Sequence, residues 1–230
     1  INSCTSGSTC AFNLGGTTTF LSSSSVFDFG ASSITLNNVL LGEGVTLYLG
    51  GGSSGSITVA SVTGTAGGLA SNIVINTTGA VNISGTVGTN IGTITVTNSG
   101  GATFGGSVAA STIALTNTTG TIAFNGVVNV ASLTTAGNAY NVAINSANSV
   151  ITNAITFSNT GTVSLGSVSG AQTYAGGITA TAPSSTTLKG QINTTNAAMS
   201  FGPVTLGANT TLNTNATTNV ADITLGAITG

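Results

Sequence analysis

What this chain lacks is charge. Its 230 residues hold one Lys, no Arg, no His, no Trp and three acidic residues. The four ionisable side chains of that set are Asp28, Glu43, Lys189 and Asp222, set far apart along the chain. Without His, imidazole acid–base work and the Ser–His or Cys–His arrangements of nucleophilic catalysis are excluded. With no Arg and a formal net charge of −2, the chain has little with which to neutralise phosphates, so nucleic acid is not an expected partner. Hydrolysis by paired carboxylates needs two acids within about 5–10 Å. Asp28 and Glu43 approach that only if adjacent turns of a repeat bring them together; solvation or a cap hydrogen bond is the expected role. Lys189 reads as an exposed charge. The inventory points to no catalytic residue, no metal ligand set and no cofactor, and to a protein that is not an enzyme.

Other absences narrow the class. Charged residues make up 2% of the chain, against roughly a quarter in an average domain. Disordered chains combine high charge with few hydrophobic residues, whereas here hydrophobic residues reach 40%, largely Val, Ile, Leu and Ala. Mean hydropathy is +0.49, yet no apolar run approaches the roughly 18 residues of a membrane-spanning helix. Membrane-crossing strands would bring aromatic girdles, for which three Tyr and eight Phe are too few. The opening has no basic, apolar leader, and so reads as mature or as having lost one. Cys4 and Cys10 stand in a Ser/Thr/Gly-rich opening with five residues between them. They are expected to close a small disulfide loop, which belongs to an oxidising compartment. Two thiolates without His make a poor zinc site.

What is present is one phrase written repeatedly: an alternating apolar strand, an Asn/Thr/Gly turn and a second alternating strand. The clearest copies are Ile73-Val-Ile-Asn76-Thr-Thr-Gly79-Ala-Val81-Asn-Ile83 and Ile94-Thr-Val96-Thr-Asn98-Ser-Gly100-Gly-Ala102-Thr-Phe104. Ile113-Ala-Leu115-Thr-Asn117-Thr-Thr-Gly120-Thr-Ile122-Ala-Phe124 and Ile155-Thr-Phe157-Ser-Asn159-Thr-Gly161-Thr-Val163-Ser-Leu165 follow. The turn glycines Gly79, Gly100, Gly120 and Gly161 are 21, 20 and 41 residues apart. The doubled step hides a further copy, Leu133 followed by Val142-Ala-Ile144, with Tyr140 where the glycine would be. A period near 20 with apolar residues two apart predicts an all-β fold, a parallel β-helix or β-solenoid. One coil cannot bury its apolar face, but stacked coils can. A β-sandwich fits less well, since its strand spacing is irregular. The glycines are expected at corners that require positive φ. The turn column Asn76, Asn98, Asn117 and Asn159 is expected to stack its amides.

Residues 1–30, with Phe12, Phe20, Phe27, Phe29 and both cysteines, read as an amino-terminal cap, or as an atypical first coil. Residues 31–230 read as the solenoid, less regular after about 166, with Pro183 and Pro203 at loops or strand edges. No closing cap is legible before Gly230, which suggests a fragment of a longer solenoid or an end that docks. Asn-X-Ser/Thr sequons at Asn76, Asn82, Asn117, Asn193, Asn209 and Asn215 are those expected by chance in so Asn- and Thr-rich a chain.

The phrases TIAFNGVVNVASLTTAG, TVSLGSVSG and ADITLGAITG resemble the repeats of large bacterial surface β-helix proteins. These are the filamentous-haemagglutinin-like exoproteins of two-partner secretion and the passengers of autotransporters; the resemblance spans roughly residues 70–230. It implies a right-handed parallel β-helix, secreted and displayed on the cell surface as a fibrous adhesin or filament. The leading expectation is therefore an extracellular structural or adhesive rod. About 11 coils would give a length on the order of 50 Å. Its expected partners are further copies of itself, head to tail, and glycans or proteins of host or neighbouring cells. An ice-binding solenoid is the alternative, but it needs Thr-X-Thr on every coil. The outward pairs Thr95 and Thr97, Ala114 and Thr116, and Thr156 and Ser158 read as ragged. A polysaccharide-binding or -cleaving β-helix is a third reading, and a lyase of that kind would need more acids and bases than the chain has.

Overall fold

A computed structural model describes residues 12–13, 16–217 and 221–230; the expected Cys4–Cys10 bridge lies outside them. Among the described residues no helix is long and apolar enough to cross a membrane. The molecule is a β-solenoid of about ten turns of about 21 residues, with parallel strands in stacked coils. Each coil runs along three faces. The first begins with Phe12–Asn13 and Ile34–Leu36, the second with Thr18–Leu21, and the third with Ser25–Phe27. Residues of like character then fall into columns. On the first face Ile57, Val81, Ala102, Ile122, Val142, Val163, Thr186 and Val204 are successive partners. On the third, Leu47, Ile73, Ile94, Ile113 and Leu133 are. Val39, Val62, Val87, Val108 and Val128 make a Val column on the second.

The strands form because, along each face, their side chains alternate between core and solvent, the alternation breaking where a long strand crosses a corner. In Ser71–Asn76 every second residue is buried, and β-branched residues suit such a pleated surface. Stacking supplies what one coil lacks, since each inward residue rests on its equivalents above and below. Phe104 and Phe124 show the packing: partners in register, their rings stack with centroids 4.9 Å apart and 13° between planes.

The coil length varies more than the sequence period suggests. Eighteen residues separate Thr186 from its partner Val204, and twenty-six separate Thr46 from Asn72. The surplus sits in corner loops, so the chain makes about ten turns where a strict period gives 11. The segment read as a cap continues the ladder: Thr18–Leu21 pairs with Asn38–Leu41, and Ser25–Phe27 with Leu47–Leu49.

The corner glycines act differently from expectation. None of Gly79, Gly100, Gly120 and Gly161 has a positive φ. What they do is admit the coil beneath. A Cβ on Gly79 would stand 2.5 Å from the Gly55 carbonyl oxygen, on Gly100 2.6 Å from that of Thr78, and on Gly120 2.7 Å from that of Gly100. On Gly161 it would run into the Tyr140 carbonyl. These corners stack backbone on backbone, and a side chain there would force coils apart.

One core position carries the wrong atom. Thr186 is wholly buried in the first-face column, and its hydroxyl has no hydrogen-bond partner. Thr186→Val keeps the shape and removes the orphaned hydroxyl, so it should raise stability by about 1 kcal/mol in chemical denaturation. Phe124→Ala, which opens a cavity in the ring stack, should lower it by roughly 3–5 kcal/mol in the same measurement.

Candidate functional site

The four charges do not form a site. Asp28 follows the third-face strand Ser25–Phe27, where Oδ1 accepts from Ser53 Oγ at 2.6 Å and from the Gly30 amide at 3.2 Å. Glu43 lies at the preceding corner, before the third-face strand Thr46–Leu49. A four-residue strand, roughly 13 Å long, therefore lies between the corners they occupy, beyond the reach of paired-carboxylate hydrolysis. Lys189 is the partner of Gly166, half-buried on a different stretch of the stack, and Asp222 lies near the far end. Among the described residues no three of His, Cys, Asp and Glu come together to hold a metal.

The Asn column is only partly a column. Asn76 and Asn98 are partners in register, Asn117 is exposed and Asn159 is wholly buried. Asn159 Nδ2 donates to the Tyr140 carbonyl at 3.0 Å, while its Oδ1 has no partner. Hydroxyls serve this corner in three earlier coils, at Thr77, Ser99 and Thr118. Ser99 Oγ donates to Thr118 Oγ1 at 2.8 Å, and Thr118 Oγ1 donates to the Ser99 carbonyl at 2.7 Å. An amide ladder does form at the first-to-second corner, where Asn145 Nδ2 donates to Asn125 Oδ1 at 2.9 Å. Two tyrosines bring hydroxyls into the core. Tyr140 donates to the Leu115 carbonyl at 2.8 Å and accepts from the Ala136 amide at 3.1 Å. Tyr174 donates to Gln172 Oε1 at 2.8 Å, and Gln172 Nε2 donates to the carbonyls of Ile144 and Ser146, both at 2.8 Å. Burial pushes both phenols above their ordinary pKa.

Two features of the outer surface remain as candidates. The first is a hydroxyl column on the third face. Thr95 is the partner of Ala114 and Ala114 of Thr134; further along, Thr156, Thr179, Ser200 and Thr224 follow in register. Nearer the start the same column is apolar, with Val26, Tyr48 and Val74. On the first face, by contrast, Thr205 shares hydrogen bonds with Ser185 at 3.0 Å and Thr229 at 3.3 Å.

The second feature is a depression at the second-to-third corner. Residues 65–70 bridge this corner after strand Ile57–Gly64, but only Thr89 and Asn90 do so in the next coil. Both of those have positive φ, 51° and 56°, which makes the tight turn possible. Strands Val108–Leu115 and Val128–Thr135 then run through the corner unbroken, and residues 152–154 reopen it. Three coils, the first with a two-residue corner and the next two with none, lie low between two that stand out, which leaves a hollow of about 440 Å³. Its floor carries Ala109, Ala110 and Ala131.

No family model, no curated protein and no solved structure matches this chain. The reading of its surfaces rests on their own chemistry. Sequence reasoning missed Thr134 and Thr179 because their coils lack the Asn–Gly punctuation that set the register elsewhere. It missed the hollow because that depends on corner lengths in five different coils. The run Val108-Ala-Ala-Ser-Thr, small residues in a strand without a turn signal, was the trace it left.

The tyrosines give a test in alkali. An unfolded phenol ionises near pH 10, a buried one only above that, so their stabilisation is complete below pH 10 and is lost as pH rises beyond it. Thermal melts followed by circular dichroism from pH 8 to pH 12 should show stability falling from about pH 10. Tyr174→Phe should make that fall shallower, at a cost near neutral pH of about 1 kcal/mol for the lost bond to Gln172.

Proposed function

We propose that the chain is an extracellular structural or adhesive rod, displayed on a bacterial surface, with no catalytic role. The observation that carries this reading is the pairing of an apolar interior with an almost uncharged outer surface, rich in hydroxyls and amides with scattered apolar side chains, over about ten stacked turns. Such a stack is on the order of 50 Å long and stiff along its axis, because each coil is bonded to the next on three faces. A nearly neutral surface removes the repulsion that keeps most proteins apart, which suits assembly and close packing against other surfaces.

The same ladder supports self-association as part of this reading. The last described coil leaves Ile223, Leu225 and Ile228 exposed, at 42%, 37% and 53%. In earlier coils the equivalents of these residues are covered by the next turn. A coil laid on this one, from further chain or from a second copy, would continue the columns and pair the open strand edges.

A second reading, ice binding, is favoured by the hydroxyl column on the third face, which runs Thr134, Thr156, Thr179, Ser200, Thr224. It is more continuous there than the sequence suggested. Thermal hysteresis in the purified protein, lost when Thr156 and Thr179 are both replaced by Lys, would support that reading and displace the first.

For the rod, electron microscopy and sedimentation at rising concentration should show end-to-end association. Because charge plays little part, that association should change by less than about threefold between low salt and 0.5 M salt. Discrete monomers at high concentration would sink the assembling version.

A further inference from the structure

The hollow at the second-to-third corner is lined by uncharged groups alone. We propose that it takes a short segment of a neutral polysaccharide, lying over Ala109 and Ala131 between the walls at residues 65–70 and 152–154. This deepens the adhesive reading and rests on it for its biological setting.

The walls are held in place by the protein. Asn90 Nδ2 donates to the carbonyls of Thr65 at 2.8 Å and Gly68 at 3.1 Å, which ties the protruding loop to the next coil. The Thr89 carbonyl accepts from the Gly64 amide at 2.8 Å, and that of Asn90 accepts from the Ser71 amide at 3.0 Å. A hollow fixed in this way does not have to be ordered when a ligand enters.

Its lining alternates two kinds of group. Beneath lie the methyls of Ala109 and Ala131, over the buried side chains of Ile91 and Val130. Around them stand the hydroxyls of Thr89, Ser111 and Thr152 and the amide of Asn129. Among the described residues none of these four side chains makes a hydrogen bond within the protein. A pyranose ring has the complementary pattern, C–H faces to lie on methyls and an equatorial rim of hydroxyls to meet donors and acceptors. The hollow has a volume of about 440 Å³ and is a shallow, open depression, so a chain would lie across it rather than be enclosed.

Charge decides among the possible ligands. None of the lining residues is ionisable, so a phosphate, sulfate or uronate would leave its water shell with nothing to replace it. A nucleic acid or an acidic glycan is disfavoured for that reason. No aromatic platform stacks on the ring either, so single-site affinity is weak, on the order of 1 mM. A rod or fibre that carries the site many times converts weak binding into firm attachment.

The test is an NMR titration of the full chain with neutral hexasaccharides (cello-, chito- and malto-) and, as the charged counterpart, hexagalacturonate. At least one neutral probe should shift the amides of residues 89–91, 109–111 and 129–131, and hexagalacturonate should not. Ala131→Trp, an exposed position that fills the hollow, should weaken binding by at least about tenfold, and Asn129→Ala by about three- to tenfold. Ala123→Trp, on the outer side of the first face between Thr103 and Ala143, should leave it unchanged. Thermal melts of each variant separate lost binding from lost fold. The proposal is overturned if no neutral probe shifts these residues at about 10 mM, if binding survives Ala131→Trp, or if hexagalacturonate binds as well. Such a failure leaves the rod reading intact, because association by sedimentation does not depend on the hollow.

Discussion

Everything in this molecule follows from one spacing. A parallel ladder sets successive coils roughly 4.8 Å apart, and each residue must then accept its own equivalent as its neighbour above and below. Inside, that rule sorts side chains into columns of like shape, Ile on Ile and Phe on Phe. At corners, it rules out a Cβ where backbone meets backbone, as at Gly79 and Gly120. A charge repeated at that interval would face its own copy in every coil, and an interior charge would have no water. The near absence of ionisable groups is the composition one would expect of a chain made almost wholly of such columns.

The polar groups that do go inside are those that can both donate and accept. Thr118 takes a bond from Ser99 and passes one to a backbone carbonyl, so a buried hydroxyl bridges two coils. Tyr140 does the same across a longer distance, reaching from the corner to the Leu115 carbonyl. Asn159 and Thr186 show the cost when that economy fails, each with a buried oxygen that nothing satisfies.

The fold was legible in the sequence because its signal is periodic in two ways at once. Ile73, Ile94 and Ile113 sit two residues from their inward neighbours and about 20 from one another, and only stacked strands satisfy both intervals. The purpose of the glycines was harder to read. A turn glycine signals either a backbone dihedral or a close approach, and sequence alone favours the commoner reading; the coil beneath Gly100 decides for the second. The outer surface was least legible. Thr95, Thr134 and Thr179 look alike in sequence to Thr103 and Thr187, and only the register assigns the two sets to different faces. The hollow has no residue of its own that marks it, since it is made by residues that are missing from two corners.

The ladder geometry also has a mechanical meaning. The hydrogen bonds between coils lie along the axis of the stack, so tension between its ends pulls directly on them. Within one interface the three faces share that force, but the interfaces themselves are linked in series. Failure is therefore set by the weakest junction and not by the average one. The strands Val150–Ile151 and Ile155–Thr156 are only two residues each, and they adjoin the coil where Tyr140 replaces the corner glycine. Val87–Gly88 is as short, so junctions of this kind carry tension on fewer ladder bonds along one face than those built on the eight-residue strands.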